Sequence, residues 1–326
     1  MRFLLDREQR AFAASLDAML RAAETPAVIR DWSRGAHASG RALWGRIAKA
    51  GVFALAVPEA YGGLGRRPAD LAVAFVELGR HAVPGPLAET VMAAILLTEP
   101  TPAEDALPAL LSGEAMATAA PEGSYALDGD AATLRLTWSP EGLSLAPGHG
   151  PVHASLDPAR RLTRLTPGGD LLTTAPPLPL ALTWARLATA AQALGVGHTL
   201  LDRTVAYVKQ RTQFGTPVGS FQAVKHRLAN AALALEFAHP LLLGAALTLT
   251  PADVAAAKVT ACEAAYTTAR TALQLHGAIG YTAEYDLSLW LTKARALLTA
   301  WGTPHECRTA VIANGPWHPT ATTAPR

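Results

Sequence analysis

Four long alanine-rich segments in the C-terminal half constrain the fold of this chain more than any other feature. They span residues 184–210, 221–249, 252–275 and 285–300. In each segment the apolar residues recur at intervals of three and four, which is the period of an amphipathic helix. Helices of this length bury their apolar faces against one another, so the pattern predicts a four-helix bundle over residues 180–315. Faces this apolar also favour contact with other chains.

Two regions with different sequence patterns precede the bundle. Residues 1–112 carry helical apolar stripes interrupted by breakers, among them a glycine-rich loop at 61–65, and predict an N-terminal helical domain. From 113 to 179 short alternating runs are separated by turn dipeptides, which predicts a small, shortened antiparallel β domain that leans on its helical neighbours. The fold class is therefore mainly α with a small central β domain. The Pro- and Thr-rich residues 316–326 predict a flexible tail.

Charge and hydropathy exclude several classes of function. Lys and Arg number 28 against 26 Asp and Glu, without a basic block that would favour nucleic acid or an anionic membrane. The most apolar window, 240–249, is much shorter than the roughly 20 residues that span a bilayer, and the N-terminus lacks the apolar run of a signal peptide. We expect a cytoplasmic protein whose two cysteines, Cys262 and Cys307, are ordinary thiols and form no metal site.

Four motifs follow one another along the chain. They are Val-Pro-Glu-Ala-Tyr-Gly-Gly-Leu-Gly at 57–65, Arg-Thr-Gln-Phe-Gly at 211–215 with Phe-Gln-Ala-Val at 221–224, Gln-Leu-His-Gly-Ala-Ile-Gly-Tyr-Thr at 274–282, and Gly-Thr-Pro-His-Glu-Cys-Arg at 302–308. Together with the order of helical domain, β domain and bundle, they resemble the motifs of the acyl-CoA dehydrogenase family. The resemblance spans nearly the whole chain and implies the fold of that family, with an acyl-CoA substrate and an electron-transferring flavoprotein as acceptor.

The resemblance also implies that the chain contacts FAD at a subunit interface. A guanidinium can bind two oxygens of a diphosphate, and a glycine turn lets the backbone approach the same anion. The residues that the resemblance assigns to the cofactor are Arg211, Gln213, Phe214, Gln222, Gln274, Gly277 and Thr303.

The catalytic base of the family is missing. Dehydrogenation requires a base that removes the α-proton while hydride passes to the flavin. Members of the family carry this Glu directly before the closing Gly-Thr, or on an earlier helix before an Arg-Leu pair. Here these positions hold Trp301 and Ala185, and neither side chain can accept a proton.

Other carboxylates have simpler interpretations. Glu306 occupies a structural place in the Gly-Thr segment, Glu284 and Asp286 resemble charges at a helix start, and Glu236 and Glu263 lie within bundle helices as solvated or paired groups. Any of the five could be a relocated base. In the β domain, Trp138-Ser139 matches only vaguely the Trp-x-Thr strand that the family lays against its flavin.

The residues that would hold this subunit's own flavin ring and perform the chemistry are missing, whereas the residues that reach a neighbouring subunit's FAD remain. This pattern resembles the heteromeric α2β2 acyl-CoA dehydrogenases of steroid-degrading actinobacteria, and implies that the chain is the subunit without the base. A homologous partner would supply the Glu, and the vacated pocket would leave room for a bulky acyl group such as a steroid side-chain thioester. Two alternatives stay open: a homotetrameric flavoenzyme with a relocated base, and a non-catalytic scaffold subunit.

Overall fold

A computed structural model describes residues 4–98 and 106–314. The N-terminal helices are α1 (Arg7–Arg21), α2 (Thr25–Ser33), α3 (Ala38–Lys49), α4 (Pro68–Arg80), α5 (Leu87–Leu96) and α6 (Ala106–Ser112). Asp6 caps α1 in a reciprocal capping box with Gln9, and Pro68 lies in the first turn of α4, where its missing N–H has no consequence. The predicted helical region is confirmed. The predicted tail at 316–326 lies outside the described residues.

The central strands form two small sheets. They are β1 (Ala117–Pro121), β2 (Tyr125–Leu127), β3 (Leu134–Ser139), β4 (Gly142–Leu145), β5 (Leu162–Arg164) and β6 (Asp170–Thr173). One sheet has the order β1-β3-β4-β6, and the other pairs β2 with β5. The prediction of a purely antiparallel domain is wrong for β1 and β3, which run parallel. Residues 122–133 cross to the second sheet through β2 and return, and such a crossover is what parallel neighbours require.

The C-terminal region is the predicted bundle. Its helices are α7 (Leu178–Gln210), α8 (Gln222–Thr248), α9 (Pro251–His276), α10 (Leu287–Leu297) and α11 (Pro304–Asn314). Glycines let α4 and α7 touch: a Cβ on Gly195 would lie 1.9 Å from the carbonyl oxygen of Val76, and one on Gly79 would lie 2.0 Å from that of Gln192. This close crossing fixes the N-terminal helices to the bundle.

Helix α8 is apolar on both of its faces. Leu235, Ala238 and Leu242 are buried against the bundle, whereas Leu233, Phe237 and Leu241 are exposed on the other side. The helix has 27 residues and a mean hydropathy of 1.5, so its apolar stretch extends beyond the window 240–249. Among the described residues it alone could cross a membrane by length and composition. A core helix of a bundle passes the same test, so the finding is weak evidence for a membrane.

Both cysteines are buried free thiols, as expected from the sequence. Cys262 lies on α9 with its thiol directed to the carbonyl oxygen of Leu297, and burial raises its pKa to about 11. A thiol with so high a pKa is protonated at neutral pH and unreactive.

Candidate functional site

Trp301, at the expected position of the base, lies in the turn between α10 and α11. Its backbone is left-handed, with φ of 55°, and Gly302 follows with φ of 128°. The turn is tied to two bundle helices. The Arg186 Nε of α7 donates to the carbonyl oxygen of Trp301 at 3.0 Å, and the Lys258 Nζ of α9 donates to that of Gly302 at 2.6 Å. These bonds hold a backbone conformation that a tryptophan rarely adopts.

The indole of Trp301 contacts two other parts of the molecule. Its Nε1 donates a hydrogen bond to Oε1 of Glu89 on α5 at 3.0 Å. Its ring stacks near Trp138 of β3, with centroids 6.4 Å apart and planes inclined by 22°. Glu89 is buried, and burial raises the pKa of its carboxyl. Trp301 thus joins the bundle, the sheet and the N-terminal helices.

The space behind Trp301 is almost filled. A cavity of about 10 Å³ remains there, and Glu89, Gln192, Lys293 and Trp301 are among the residues that line it. A cavity needs about 10–15 Å³ of this kind to hold one water molecule, so an acyl chain does not fit. In the isolated chain this space therefore has no room for an acyl group. Ala185, the second expected base position, is buried on α7.

The five carboxylates considered as relocated bases do not line this cavity. Glu306 accepts hydrogen bonds from the backbone N–H and the hydroxyl of Thr303, at 2.7 and 2.9 Å, and these bonds lower its pKa. Its structural interpretation is supported, since it caps the start of α11. Glu263 pairs with Arg308.

The other three carboxylates are also accounted for by their surroundings. Asp286 pairs with Arg30 at 2.7 Å, and Glu236 and Glu284 are exposed. Among the described residues the carboxylate that does line the cavity is Glu89, which sequence reasoning missed. A single acid inside the otherwise apolar helix α5 is the feature that could have revealed it.

Arg211 lies at the opposite end of the bundle, where α7 ends. Its backbone N–H donates to the carbonyl oxygen of Tyr207, and its own carbonyl accepts from Val218 at 2.7 Å. The second bond folds the chain back toward the start of α8, where Gln222 is the first helical residue. The side chains of Arg211 and Gln222 are both exposed.

A two-residue hairpin projects between α7 and α8. Strands β7 (Thr212–Gln213) and β8 (Thr216–Pro217) flank Phe214 and Gly215, whose φ values of 53° and 76° are those of a type I′ turn. The side chain of Phe214 is 95% exposed, and the amide of Gln213 is bonded to the Thr212 carbonyl at 2.8 Å. An aromatic ring held in solvent by a tight turn is suited to contact another molecule.

Gln274 and Gly277 belong to the same end of the bundle. The ring of Tyr207, one turn before Arg211, stacks on His276 with centroids 4.2 Å apart, and its hydroxyl donates to the His276 carbonyl at 3.4 Å. Gly277 ends α9 with φ of 63°, and a Cβ there would meet nothing within 4 Å. The ends of α7 and α9 therefore lie side by side. We call this region, residues 207–227 with 267–281, the hairpin end.

Thr303 is the exception among the residues assigned to the cofactor. It begins α11, near the point where Lys258 of α9 contacts Gly302. At 1.5 Å per residue, about 24 Å of α9 separates Lys258 from Gln274. The other six assigned residues lie at the hairpin end, whereas the polar atoms of Thr303 are bonded to Glu306.

A group of metal-ligand side chains lies between α1 and α4. The ligand atoms of Asp17, Glu77 and His81 are within 4.8 Å of one another. Arg21 is 2.9 Å from Asp17, and Arg80 is 3.8 Å from Glu77, so guanidinium groups already balance both carboxylates. Burial raises the pKa of Glu77 to about 7 and lowers that of His81. We assign no metal to this group.

Comparison with known proteins identifies the family. Residues 6–114 match the acyl-CoA dehydrogenase N-terminal domain, and residues 180–315 match the acyl-CoA dehydrogenase C-terminal domain. The acyl-CoA dehydrogenase IpdE2 of Mycobacterium tuberculosis is 34% identical over 285 residues, which cover 86% of this chain and 89% of IpdE2. The chain belongs to the acyl-CoA dehydrogenase family.

Solved acyl-CoA dehydrogenase structures share this fold. A variant of the Tcur3481-Tcur3483 steroid ACAD is 25% identical with a TM-score of 0.79, over 94% of this chain and 97% of that one. The ChsE4-ChsE5 complex from Mycobacterium tuberculosis, at 22% identity, has a TM-score of 0.80 over 96% of this chain and 98% of that one. The mainly α fold with its small central sheets is thus the acyl-CoA dehydrogenase fold.

Proposed function

We propose that this chain is the base-lacking subunit of a heteromeric, FAD-dependent acyl-CoA dehydrogenase. It contributes FAD contacts across a subunit interface, and a homologous partner supplies the Glu that removes the α-proton. FAD, when bound, accepts the hydride from the β-carbon of the acyl group. The observation that carries the proposal is the contrast between the two ends of the bundle: Trp301 fills the place of the base, whereas Arg211, Gln222 and Gln274 at the hairpin end are exposed.

The residues at the hairpin end fit a dinucleotide held by a second chain. The guanidinium of Arg211 forms no ion pair with any described residue, so its charge is available to a diphosphate. Gln274 adds an exposed amide, and the open surroundings of Gly277 leave room for an anion to approach the backbone. Phe214 offers an aromatic face for stacking.

The similarity to the Tcur3481-Tcur3483 steroid ACAD supports a heteromeric assembly and a steroid-derived acyl-CoA as the substrate class. An exposed apolar row on α8 (Leu233, Phe237 and Leu241) supports association with another subunit in an α2β2 arrangement. Electron-transferring flavoprotein is the acceptor that we expect for the flavin of the complex.

A homotetrameric enzyme with a relocated base is the second candidate, and Glu89 is the observation that favours it. This carboxyl accepts a hydrogen bond from Trp301, the residue at the expected base position, and its raised pKa is typical of catalytic acids and bases. Against it, the adjoining cavity of about 10 Å³ admits no substrate. Trp301 also occupies one of its oxygens with a hydrogen bond.

The first test compares the chain alone with the chain coexpressed with a base-bearing homologous subunit. We expect a colourless isolated chain and a yellow complex, judged by visible absorption at the flavin bands. In the complex, Arg211→Gln should lower flavin content and turnover. The control Arg34→Gln removes an exposed arginine of the N-terminal region and should change neither.

The remaining outcomes separate the alternatives. A yellow isolated chain whose activity disappears in Glu89→Gln would favour the relocated base. A complex that keeps full flavin and turnover in the Arg211→Gln variant and in a Gln274→Ala variant would favour a scaffold subunit.

A further inference from the structure

An open cavity of about 320 Å³ lies where the turn between α1 and α2 meets the end of α4, the middle of α7 and α10. This volume falls at the lower end of the range for small-molecule sites. Besides His81, the lining contains three residues of each charge, namely Arg21, Arg80 and Arg203 against Asp17, Glu24 and Asp202. The cavity shares no residue with the hairpin end or with the space behind Trp301.

Most of the charge in this lining is already balanced. Four of the six groups form two ion pairs, at 2.9 and 3.1 Å, which join Arg21 to Asp17 and Arg80 to Asp202. The remaining two, Arg203 and Glu24, form no ion pair with any residue that the structure describes. The cavity therefore offers one unpaired cation and one unpaired anion.

The guanidinium of Arg203 is held against an aromatic ring. Its central carbon lies 4.1 Å from the centre of the Trp290 ring, and the indole Nε1 of Trp290 donates to the carbonyl oxygen of Arg80 at 2.9 Å. The contact uses the face of the ring and leaves the N–H donors of Arg203 without acceptors among the described residues. Burial also lowers the pKa of Arg203. An anion in the cavity would supply both acceptors and a counter-charge.

Thr25 supplies further donors at the start of α2. It lines the cavity, is only 3% exposed, and neither its backbone N–H nor its hydroxyl has a hydrogen-bond partner among the described residues. Glu24 precedes it with φ of 48°, and the carboxylate of Glu24 does not cap the helix. The beginning of α2 thus keeps an N–H and a hydroxyl for an anion, and the carboxylate of Glu24 stays free for a cation.

We propose that this cavity binds a small zwitterion, an amino acid whose carboxylate contacts Arg203 and Thr25 and whose ammonium group contacts Glu24. An uncharged ligand would leave both charges unpaired, and a phosphate dianion would bring two negative charges to a lining with one unpaired cation. A zwitterion pairs with both groups and leaves the net charge unchanged. Because the cavity is separate from the residues that we assign to FAD, this inference does not depend on the proposed function.

The test is isothermal titration calorimetry of the full-length chain with a series of amino acids of increasing length: glycine, β-alanine, γ-aminobutyrate and ε-aminocaproate. Acetate and methylamine carry one charge each and, with inorganic phosphate, serve as reference probes. The variants are Arg203→Gln, Glu24→Gln and Thr25→Val. The control is Arg34→Gln, since Arg34 is an exposed arginine beyond the end of α2 and outside the cavity.

We expect one amino acid of the series to bind about tenfold more tightly than acetate, methylamine or phosphate. Arg203→Gln should weaken that ligand about tenfold, because a hydrogen bond to a charged group contributes about that factor, and Thr25→Val should weaken it about threefold. Glu24→Gln should weaken the amino acid but not acetate, a difference that a loss of folding cannot produce. The control should match wild type.

Three results would overturn the proposal. The first is a series in which no amino acid binds more tightly than the reference probes, and the second is an equal Kd in wild type and Arg203→Gln. The third is tightest binding of phosphate, which would indicate a simple anion site. If Arg203→Gln does not fold, Glu24→Gln decides, since it changes only an exposed side chain. An unchanged Kd for the amino acid in Glu24→Gln would then refute the zwitterion site.

Discussion

The indole nitrogen of Trp301 and the buried carboxyl of Glu89 are joined by a hydrogen bond of 3.0 Å, across 212 residues of sequence. The bond connects the turn where the base is expected to the N-terminal helix α5. A tryptophan at this position therefore does more than remove a proton acceptor. It is a fixed part of the core, so restoring the acid alone would not rebuild a working site.

We predict that Trp301→Glu destabilises the chain and gives it no dehydrogenase activity of its own. The change removes a packed indole, leaves Glu89 without its donor and places a second carboxyl beside it. A loss of about 3 kcal/mol or more in the free energy of unfolding is expected from urea denaturation. Trp301→Phe, which keeps a ring but loses the donor, should cost less. Turnover by the isolated Trp301→Glu chain would contradict the prediction.

A second prediction concerns the buried pair of Lys293 and Asp157. Their charged atoms are 3.4 Å apart, an ion-pair distance without hydrogen-bond geometry, and both side chains are almost fully buried. Lys293→Met should cost about 3–5 kcal/mol, because it leaves Asp157 buried without its counter-charge. The double variant Lys293→Met/Asp157→Leu should recover much of that loss in the same denaturation experiment. A double variant less stable than the single one would show that the pair is not the source of the cost.

Asp128 gives a prediction about pH. It is buried in a left-handed conformation, and burial raises its pKa to about 7 from the ordinary 3.8, although Trp32 and the backbone of Arg161 donate to it. The folded state therefore holds a proton that the unfolded state releases, so this contribution to stability is complete below pH 4 and is lost as the pH rises to about 7.

Asp128→Asn keeps the acceptor oxygen, tolerates the left-handed backbone and cannot ionise. The variant should therefore gain roughly 1–3 kcal/mol relative to wild type between pH 5 and pH 8. Thermal unfolding of both proteins across this range measures the difference. Because Glu77 and Glu89 are present in both proteins, their titration cancels. Parallel stability curves would refute the assignment to Asp128.

The stacked pair of Tyr207 and His276 gives a prediction about the hairpin end. Tyr207→Leu should remove about 0.5–1.5 kcal/mol of aromatic contact and loosen the turn that follows α9. Faster amide hydrogen exchange is expected at 274–282, together with weaker FAD binding in the complex. Tyr207→Phe keeps the stacked ring and loses only a long hydrogen bond, so it should resemble wild type. Unchanged exchange in Tyr207→Leu would indicate that other contacts hold the turn.

Local sequence patterns were sufficient to predict much of the fold. The helical period located α7, α8 and α9, although α7 begins at Leu178 rather than 184 because Pro179 is tolerated in a first helical turn. Motif order also led to six residues that the fold gathers at one end, where Tyr207 and His276 join the ends of α7 and α9.

Contacts between segments far apart in the sequence could not be predicted from local patterns. The Trp301–Glu89 bond depends on how α5 docks against the bundle, and the parallel pairing of β1 and β3 depends on a crossover. Arg227 lies on α8 and Arg270 on α9. Only the packing of α8 on α9 shows that they share a cavity.

The exposed row of Leu233, Phe237 and Leu241 has a consequence for how the protein is made. A newly synthesised chain carries this apolar face before any other subunit has covered it, and such a face associates with whatever similar surface it meets first. If the chain forms the proposed complex, the yield of soluble protein in a cell should then follow the supply of the partner subunit. Coordinated synthesis of the two chains would protect each from self-association.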